Sequence, residues 1–325
     1  MSSPLRATRK EDFLDQYIQS LLRGNGEELN AYLTQVNTHQ QIIGTKATTR
    51  CFMLSSDGQH LPRVEDFAIR IACYLLDYAI PRSEIAKAKK MDDEENTTIN
   101  TVMLKKKARK LFTQLKKTGE GGEMLLYLLI QSVLRFPQAI SKMSLKTSGQ
   151  LHYQGADAIH IGYDTATEKL LLYWGESKLY QSIDSAIREC FESLAPYLIG
   201  PGGAENPRER DLQLLLTNLD FANEELEAAM LNYLDPNHPS FNSLEYRGAC
   251  LIGFDIDSYC SVPFAKTQEI VLGEINQALT NWLGKINTGI NRHQYLENFT
   301  LDVFLVPFPS VQIFRDKFLE AIQDV

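Results

Sequence analysis

The sequence predicts an α/β protein in which helices flank a mixed central β-sheet, preceded by an N-terminal α+β or helical extension. Two observations predict this fold class. Beyond residue 150 the hydrophobic period changes from helical spacing to that of strands, and strands then alternate with helices. One strand carries an apolar run on both faces, which is typical of the centre of a covered sheet.

Composition indicates a soluble protein without a membrane segment. The 325 residues are 44% hydrophobic, which is enough for one large core or two modest ones. The polar N-terminus has no signal-peptide core, and the longest apolar run, Met124–Ile130, is far shorter than a bilayer span. The five cysteines are widely spaced and odd in number, which argues against a disulfide framework or a zinc cluster. We therefore expect a cytoplasmic protein with reduced thiols.

The net charge of −8 restricts how the chain can bind nucleic acid. Affinity for nucleic acids depends on neutralising phosphates with lysine and arginine, and an acidic chain cannot coat a polyanion passively. Any contact with nucleic acid is therefore expected to be local or assisted by a partner.

Residues 1–60 are predicted to form a small α+β region. Helices are expected over Glu11–Leu22 and Glu27–Tyr32, and a strand is expected over Thr48–Leu54, before the turn at Asp57-Gly58. This region contains no recognisable chemical motif.

Residues 61–118 are predicted to be helical. Apolar residues at helical spacing predict a helix over Val64–Ile80, which Pro81 ends. The charged segment Lys87–Asn96 is interpreted as a surface loop or linker. A further helix over Thr101–Lys117 has one apolar side, and its remaining surface is basic without any acid. The basic residues are Lys105, Lys106, Lys107, Arg109, Lys110, Lys116 and Lys117.

Residues 119–325 are predicted to form the main domain. After a glycine-rich break, an apolar helix is expected from Glu123 to about Phe136. Two extended segments, His152–Asp164 and Lys169–Leu179, are predicted to form a β-hairpin. The later elements are helices over Ser182–Leu198, Glu209–Leu219 and Asn223–Leu234, a strand over Arg247–Asp257, a helix over Gln268–Ile286, a strand over Phe299–Val306 and a helix over Val311–Ile322.

The hairpin places two carboxylates side by side. If Asp164 pairs with Lys169, the antiparallel register puts Asp157 opposite Glu176. Opposed Cβ atoms lie about 4.5–5.5 Å apart, and from that separation two carboxylates can bind one divalent ion. A shift of one residue would place them on opposite faces, so this inference depends on the assumed register.

Glu176 and Lys178 are two residues apart on one strand and therefore share a face. A cation with a nearby lysine is what phosphodiester hydrolysis needs, because the cation stabilises charge on the phosphate and the lysine orients or deprotonates the attacking water. The alternative is a solvated ion pair at a strand end, with Asp157 as a turn residue. The apolar run Leu170–Trp174 favours the first interpretation, since charges directly after a buried strand are costly unless they are used or paired.

These residues also carry a resemblance to a known family. The pattern Gly155-Ala156-Asp157, followed by Gly175-Glu176-Ser177-Lys178 and preceded by Glu123 in a helix, resembles the signature of the PD-(D/E)xK nucleases. The wider stretch from Gly122 to Tyr180 resembles HamA, the nuclease family of the bacterial Hachiman anti-phage system. The resemblance extends from about residue 60 to the C-terminus.

The resemblance implies a restriction-endonuclease-like fold and a deoxyribonuclease that uses Mg²⁺ or Mn²⁺. It implies that Asp157, Glu176 and Glu123 hold the metal and that Lys178 assists the water. It also implies a helicase partner, HamB, which would supply the ATP-driven motor. Ala156 stands where the superfamily often has proline. Because that proline only shapes the backbone, its absence weakens the motif more than the chemistry.

Two features of the site have plainer explanations when taken alone. Glu123 is also well placed as a first-turn carboxylate at a helix N-terminus. The basic helix face, with Lys105, Lys106, Arg109 and Lys110, is either a grip for the DNA backbone or a solvated surface. Lys146, and with it Lys142, is a further candidate for contact with phosphate.

Three other motifs offer weaker alternatives. Asp255 and Asp257 form a second carboxylate pair, but no lysine follows, and aspartates at strand ends are usually turn formers. The loop Gly200-Pro201-Gly202-Gly203 lacks the ending of a phosphate-binding loop, so ATP hydrolysis by this chain is not expected. His160 falls on the face opposite Asp157 and is interpreted as structural.

Two functions therefore remain at this stage. The first is a metal-dependent DNA nuclease. The second is a non-catalytic adaptor that keeps the nuclease fold and regulates the helicase. The complete set of Glu123, Asp157, Glu176 and Lys178 favours the nuclease, because a degenerate enzyme is expected to lose at least one of them.

Overall fold

Strands and helices alternate along the chain, as the sequence predicts. The computed structural model describes residues 10–36, 39–113, 119–145, 155–200, 206–221 and 223–324. In chain order the elements are α1 (Lys10–Ser20), β1 (Leu33–Gln35), β2 (Gln40–Gln41), β3 (Ala47–Leu54), α2 (Val64–Ala72), α3 (Leu75–Ala79), α4 (Arg82–Glu95), α5 (Ile99–Thr113), α6 (Glu120–Leu129), a π-helical turn (Ile130–Leu134), α7 (Lys142–Leu145), β4 (Ala158–Asp164), β5 (Lys169–Tyr180), α8 (Ile183–Ile199), α9 (Pro207–Asn218), α10 (Glu224–Leu234), a 3₁₀ turn (Pro239–Ser243), β6 (Leu244–Asp255), α11 (Gln268–Asn291), a 3₁₀ turn (Leu296–Asn298), β7 (Leu301–Phe308) and α12 (Val311–Asp324).

A mixed sheet forms the centre of the fold, in the order β1-β3-β7-β6-β5-β4, with β2 paired to β3. Strands β3, β7, β6 and β5 are parallel to one another, whereas β1 pairs antiparallel with β3 and β4 pairs antiparallel with β5. The predicted fold class, a mixed sheet flanked by helices, is confirmed. Within the described ranges no helix has the length and apolar character needed to cross a bilayer.

Strand β5 is the buried strand that the apolar run predicts. Leu170–Trp174 are at most 3% exposed, and β5 lies between β4 and β6. The Trp174 ring contacts Tyr197 of α8, with ring centroids 5.4 Å apart. A Cβ atom on the next residue, Gly175, would lie 3.0 Å from Leu126 of α6. Successive strand residues face opposite sides, so α8 and α6 cover opposite faces of this strand.

The predicted hairpin register is confirmed from Asp164 to Ala158, whereas the predicted pair of Asp157 and Glu176 is not part of the ladder. Asp164 pairs with Lys169, and the ladder continues to Ala158 opposite Gly175. Asp157 lies one residue beyond the ladder, and its N–H donates to the Gly175 carbonyl at 2.9 Å. The predicted residues 152–154 of the first strand lie outside the described part of the chain.

The strand predicted over Thr48–Leu54 belongs to the central sheet. As β3 it pairs in parallel with β7, with Cys51 opposite Leu305. Residues 1–60 therefore contribute three strands, β1, β2 and β3, to the same sheet as the predicted main domain. The helix predicted over Glu27–Tyr32 is wrong, since this segment forms turns.

The loop predicted over Lys87–Asn96 is also wrong, because this segment lies in α4. The helix buries Ile85 and Asp92. The Asp92 carboxylate accepts hydrogen bonds from the N–H groups of Asn100 (2.8 Å) and Thr101 (2.9 Å), so it satisfies donors at the start of α5. Only a few residues on one side of α4 are buried. Because most of its surface is charged, the sequence shows no clear alternation of apolar residues at helical spacing.

The other helical predictions are confirmed with changed boundaries. The helix predicted over Val64–Ile80 is broken near Cys73 into α2 and α3, and it ends before Pro81 as predicted. The helix expected from Glu123 begins three residues earlier, at Glu120. Its last turn is π-helical, and Arg135, with a φ of 61°, ends it.

The outer edge of β4 is covered by the segment that leads from α6 to α7. Ala139 N–H donates to the Ile159 carbonyl at 2.8 Å, and Ile161 N–H donates to the Pro137 carbonyl at 3.0 Å. The Phe136 ring lies over Gly162 and stacks on Tyr173, with centroids 4.8 Å apart. This covering satisfies the edge of the sheet and carries the chain towards α7.

Gly162 provides a test of this packing. A Cβ atom at this position would lie 2.3 Å from two carbon atoms of the Phe136 ring, so we expect Gly162→Ala to lower the free energy of unfolding by about 1–3 kcal/mol. Urea unfolding followed by circular dichroism measures this value. Gly273→Ala in α11 is the matched control, since nothing lies within 4 Å of its Cβ position and alanine favours a helix. An equal stability of the Gly162→Ala variant and the wild type would contradict the contact.

Candidate active site

Glu176 and Lys178 follow the buried run of β5 and are in direct contact. Glu176 is 4% exposed, and Lys178 Nζ donates to Glu176 Oε1 at 2.6 Å. The two side chains share a face, as their spacing predicts. The strand therefore ends in a nearly buried carboxylate that is partly neutralised by its own neighbour.

Asp157, which directly precedes β4, is held against the neighbouring strand β5 by hydrogen bonds from Ser177. Asp157 Oδ2 accepts hydrogen bonds from Ser177 N–H at 2.8 Å and from Ser177 Oγ at 2.9 Å. Together with the bond from Asp157 N–H to the Gly175 carbonyl, these contacts fix both the backbone and the carboxylate of Asp157 relative to β5.

Glu123 approaches from the first turn of α6. Tyr78 of α3 donates its hydroxyl to Glu123 Oε2 at 3.0 Å. The preceding residue allows this turn to lie close to the strand, because a Cβ atom on Gly122 would be 2.7 Å from Leu179 and 3.3 Å from Ser177 Oγ. The absence of a side chain at position 122 thus permits the close packing of α6 on β5.

The charges of these residues act on one another. Burial, followed by the charge of Asp157, raises the pKa of Glu176 from 4.5 to about 8, with a smaller contribution from Glu123, while Lys178 opposes the shift. Burial, followed by the charges of Glu123 and Asp157, also raises the pKa of Tyr78 well above its ordinary value. The carboxylates of Asp157 and Glu123 are therefore close enough to Glu176 to disfavour its ionisation.

The neighbouring charges favour the ionised form of Lys178, whereas they disfavour the ionised form of Glu176. Burial disfavours its charge, but the charge of Glu176 and the hydrogen bond to it, with a contribution from Asp157, outweigh burial and raise the pKa of Lys178. The ammonium is therefore retained beside the carboxylates and lowers the electrostatic cost of their burial.

The donor set fits a hard divalent cation, although the side chains do not form a closed ligand cluster. Carboxylate oxygens are the ligands that Mg²⁺ prefers. Among the residues that the structure describes, no group of three His, Cys, Asp or Glu side chains stands at metal-binding distances. The carboxylates of Asp157, Glu176 and Glu123 instead contact Ser177, Lys178 and Tyr78 respectively. The raised pKa of the buried Glu176 indicates a site in which additional positive charge would be favourable.

An open cleft of about 550 Å³ adjoins these residues. Lys178 lines it from β5, Gly119 and Gly122 from the start of α6, and Arg315 from α12. The Arg315 guanidinium donates to the Leu179 carbonyl. A ligand in this cleft would therefore meet Lys178 and one further cation.

Lys142 is not exposed for contact with phosphate. It is 8% exposed, and its Nζ donates to the Ala156 carbonyl at 2.6 Å and to Asp211 Oδ2 at 2.7 Å. Burial lowers its pKa, whereas Asp211 opposes that shift. The other candidate on this segment, Lys146, lies outside the described residues.

The basic surface of α5 is partly as predicted. Lys105, Lys106 and Lys110 are exposed. Lys107 pairs with Glu84 of α4 at 2.6 Å, and Arg109 donates to the Gln323 carbonyl at 3.0 Å. Lys116 and Lys117 lie outside the described residues. The exposed lysines therefore stay candidates for contact with DNA.

Two of the alternative motifs have structural roles, whereas residues 201–203 of the loop Gly200-Pro201-Gly202-Gly203 lie outside the described part of the chain. Asp255 Oδ1 accepts a hydrogen bond from Val311 N–H at 2.6 Å, so it satisfies a donor at the start of α12. His160 is fully buried, and its Nδ1 is 2.7 Å from the Phe136 carbonyl oxygen. Burial lowers the pKa of His160 to about 4, which keeps it neutral. The structural interpretation of both residues is confirmed.

Sequence reasoning missed three residues that contact the site or its backbone, Tyr78, Ser177 and Asp211, and it gave Lys142 a different role, contact with phosphate. Ser177 had a signal, since a polar residue inside a buried strand needs a partner. Tyr78 and Asp211 had none, because their partners lie 45 and 69 residues away in the chain.

Comparison with known protein families identifies the family of this chain. A family model described as HamA matches residues 30–322, which is nearly the whole chain and includes the four candidate residues. No curated protein matches the sequence.

The pKa of Glu176 leads to a testable pH dependence. The pKa of this group is raised to about 8 in the folded protein, whereas its ordinary value in the unfolded chain is 4.5. Its contribution to the free energy of unfolding is therefore fully present below pH 4.5 and is lost as the pH rises to about 8. Glu176→Gln removes the titration, so we expect its stability to decline less than that of the wild type over this interval. Urea unfolding with EDTA at several pH values measures the difference.

Glu192→Gln is the control for this experiment. Glu192 lies on α8 with its side chain 55% exposed, and its variant should follow the wild-type pH profile. A Glu176→Gln profile as steep as that of the wild type would show that Glu176 titrates normally.

Proposed function

Because the chain belongs to the HamA family, a component of the Hachiman anti-phage defence system, we propose that it is a magnesium-dependent DNA nuclease. In this proposal it is the effector of the system and works with the helicase partner HamB. Mn²⁺ is the expected substitute for Mg²⁺.

One observation carries the proposal: three carboxylates and one ammonium converge where a buried strand meets a cleft. Glu176 and Lys178 are in contact at 2.6 Å. The charges of Asp157 and Glu123 both raise the pKa of Glu176. Buried like charges are costly unless a cation is bound or a reaction uses them, and phosphodiester hydrolysis uses this combination of groups.

In the proposed chemistry the three carboxylates and the lysine have different roles. Asp157, Glu176 and Glu123 would hold the metal, which supplies positive charge to the phosphate and lowers the pKa of water when bound. Lys178 would leave Glu176 to orient the attacking water or to stabilise negative charge on the phosphate. Ser177 and Tyr78 hold the carboxylates of Asp157 and Glu123 in place through hydrogen bonds.

The helicase partner would supply ATP-driven movement along DNA. No phosphate-binding loop motif for ATP occurs in the chain, so translocation along DNA requires another protein. A free nuclease would also threaten the host genome. We therefore propose that activity is low in the intact pair until aberrant or phage DNA engages the partner.

Two observations keep the adaptor function as the second candidate. No three-ligand cluster is closed among the described side chains, and Lys178 occupies one oxygen of Glu176. An adaptor would keep this ion pair as a structural contact and would need no metal.

A nuclease assay separates the two candidates. We expect the wild type, alone or with its partner, to degrade plasmid DNA with Mg²⁺ but not with EDTA. Glu176→Ala and Lys178→Ala should each lower the cleavage rate by about 10²-fold or more, since both remove groups that stabilise charge in the reaction. Lys285→Ala, in an exposed pair with Asp184, is the control and should cleave normally. Equal behaviour of all folded variants with and without metal would favour the adaptor.

The exposed lysines of α5 give a second test. If they bind the DNA backbone, the combined change of Lys105, Lys106 and Lys110 to alanine should weaken DNA binding. It should also lower the slope of log K against log salt by about 0.9 for each phosphate that the variant no longer neutralises. Fluorescence anisotropy with labelled DNA over a salt series measures both quantities in EDTA.

The control for the α5 variant removes the same charge from the neighbouring helix. Lys87, Lys89 and Lys90 of α4 are also exposed, and their combined change to alanine should leave the slope near that of the wild type. Equal weakening of DNA binding in both variants would mean that net charge, rather than the α5 surface, determines binding.

A further inference from the structure

Lys142 and Asp211 form a buried ion pair next to the site, on two elements that the sequence motif does not include. Lys142 lies at the start of α7 and Asp211 in α9, and their side chains are 9% and 0% exposed. Lys142 Nζ is 2.7 Å from Asp211 Oδ2. Burying two charges costs free energy that the pair alone does not always recover, so the other contacts of these groups matter.

Both members of the pair bind the backbone of Ala156, the residue before Asp157. Lys142 Nζ donates to the Ala156 carbonyl at 2.6 Å. Asp211 Oδ2 accepts a hydrogen bond from Ala156 N–H at 3.2 Å. The ion pair therefore contacts both polar backbone groups of one buried residue.

The contact with the Ala156 carbonyl determines the orientation of Asp157. This carbonyl and Asp157 N–H belong to the same peptide plane, which is rigid. Lys142 holds the carbonyl end of the plane, and the Gly175 carbonyl accepts from the N–H end at 2.9 Å. With both ends held, the direction in which Asp157 leaves the backbone is fixed before Ser177 binds its carboxylate.

The same contacts give a reason for alanine at position 156. Proline has no N–H and could not donate to Asp211. In this chain the orientation that a proline ring would otherwise help to set is provided by the hydrogen bonds of an ion pair.

From this geometry we propose that the pair of Lys142 and Asp211 positions Asp157 for binding a divalent cation. The two residues are positioning residues and do not touch the substrate. This proposal depends on the proposed function only for the purpose of the cation, which is DNA cleavage. Cation binding is therefore measured separately from cleavage.

The test is the double variant Lys142→Met with Asp211→Asn. Removing both charges avoids leaving one buried charge without its partner, which is the change that unfolds proteins most readily. We expect its thermal unfolding temperature to stay close to that of the wild type. In isothermal titration calorimetry we expect its Kd for Mn²⁺ to rise by about 10-fold or more, since disturbing a group that orients a metal ligand typically costs 10–100-fold in affinity.

A second, partly buried pair provides the matched control. Arg50 and Asp302 bridge β3 and β7 with side chains 19% and 9% exposed, and Asp302 also accepts from Tyr173 rather than from a proposed site residue. Arg50→Met with Asp302→Asn should leave the Kd for Mn²⁺ near the wild-type value. If both double variants bind Mn²⁺ more weakly in proportion to their decrease in thermal stability, the effect of Lys142 and Asp211 is only structural and the proposal is overturned.

A second double variant, Lys142→Met with Asp211→Leu, keeps the test decisive if the first double variant does not fold. Apolar residues of similar volume often replace a buried ion pair without loss of stability, and neither new side chain can hydrogen-bond the Ala156 backbone. We expect an increase in the Kd for Mn²⁺ of the same size. Wild-type affinity in this folded variant would then overturn the proposal.

Cleavage measurements distinguish this proposal from the proposed function. A decrease in kcat with little change in KM for DNA supports positioning, since the DNA-binding surface is unchanged. If the wild type does not cleave DNA but the variants still weaken Mn²⁺ binding, the nuclease function fails while the positioning role is supported. If the wild type cleaves and the folded double variant binds Mn²⁺ and cleaves equally well, the nuclease function is supported and the positioning role is overturned.

Discussion

The structure around the site depends on one constraint, the burial of a carboxylate at the end of a central strand. Glu176 is 4% exposed and follows five residues that are almost completely buried. An isolated buried charge is strongly unfavourable, so the groups around Glu176 have to compensate for it. Lys178 does so directly at 2.6 Å, while the neighbouring charges of Asp157 and Glu123 increase the need for compensation. A site of this kind is stable as an ion pair and becomes more favourable when a further cation binds.

The sheet topology explains why several helices can contribute to one place. Strands β5, β6 and β7 are parallel, so their carboxyl ends lie at the same edge of the sheet, where binding sites of α/β proteins commonly occur. There α6 approaches β5 closely because position 122 has no side chain. Asp255, at the end of β6, binds the start of α12, which brings Arg315 to the adjoining cleft. Asp255, which the sequence offered as part of an alternative metal site, thus helps to position α12 beside the site.

The proposed action on DNA requires local positive charge in an acidic chain. The net charge is −8, yet three lysines of α5 are exposed, whereas Lys142, a basic residue close to the site in the fold, is buried against Asp211. The exposed lysines of α5 and the buried ion pair of Lys142 therefore lie on different elements. Because an acidic chain cannot coat a polyanion passively, the proposed function would need a partner to bring DNA to the site.

The sequence by itself determined the fold class, the hairpin register and the contact between Glu176 and Lys178. These features depend on periods and spacings within one or two neighbouring strands, where the alternation of side chains fixes which residues share a face. Only the tertiary structure decided that the charged segment Lys87–Asn96 is helical, that Tyr78 binds Glu123 and that Lys142 and Asp211 hold the backbone before Asp157. These contacts join residues that are distant in the chain, and such pairs leave no periodic pattern. Their partners are set by how the helices pack on the sheet.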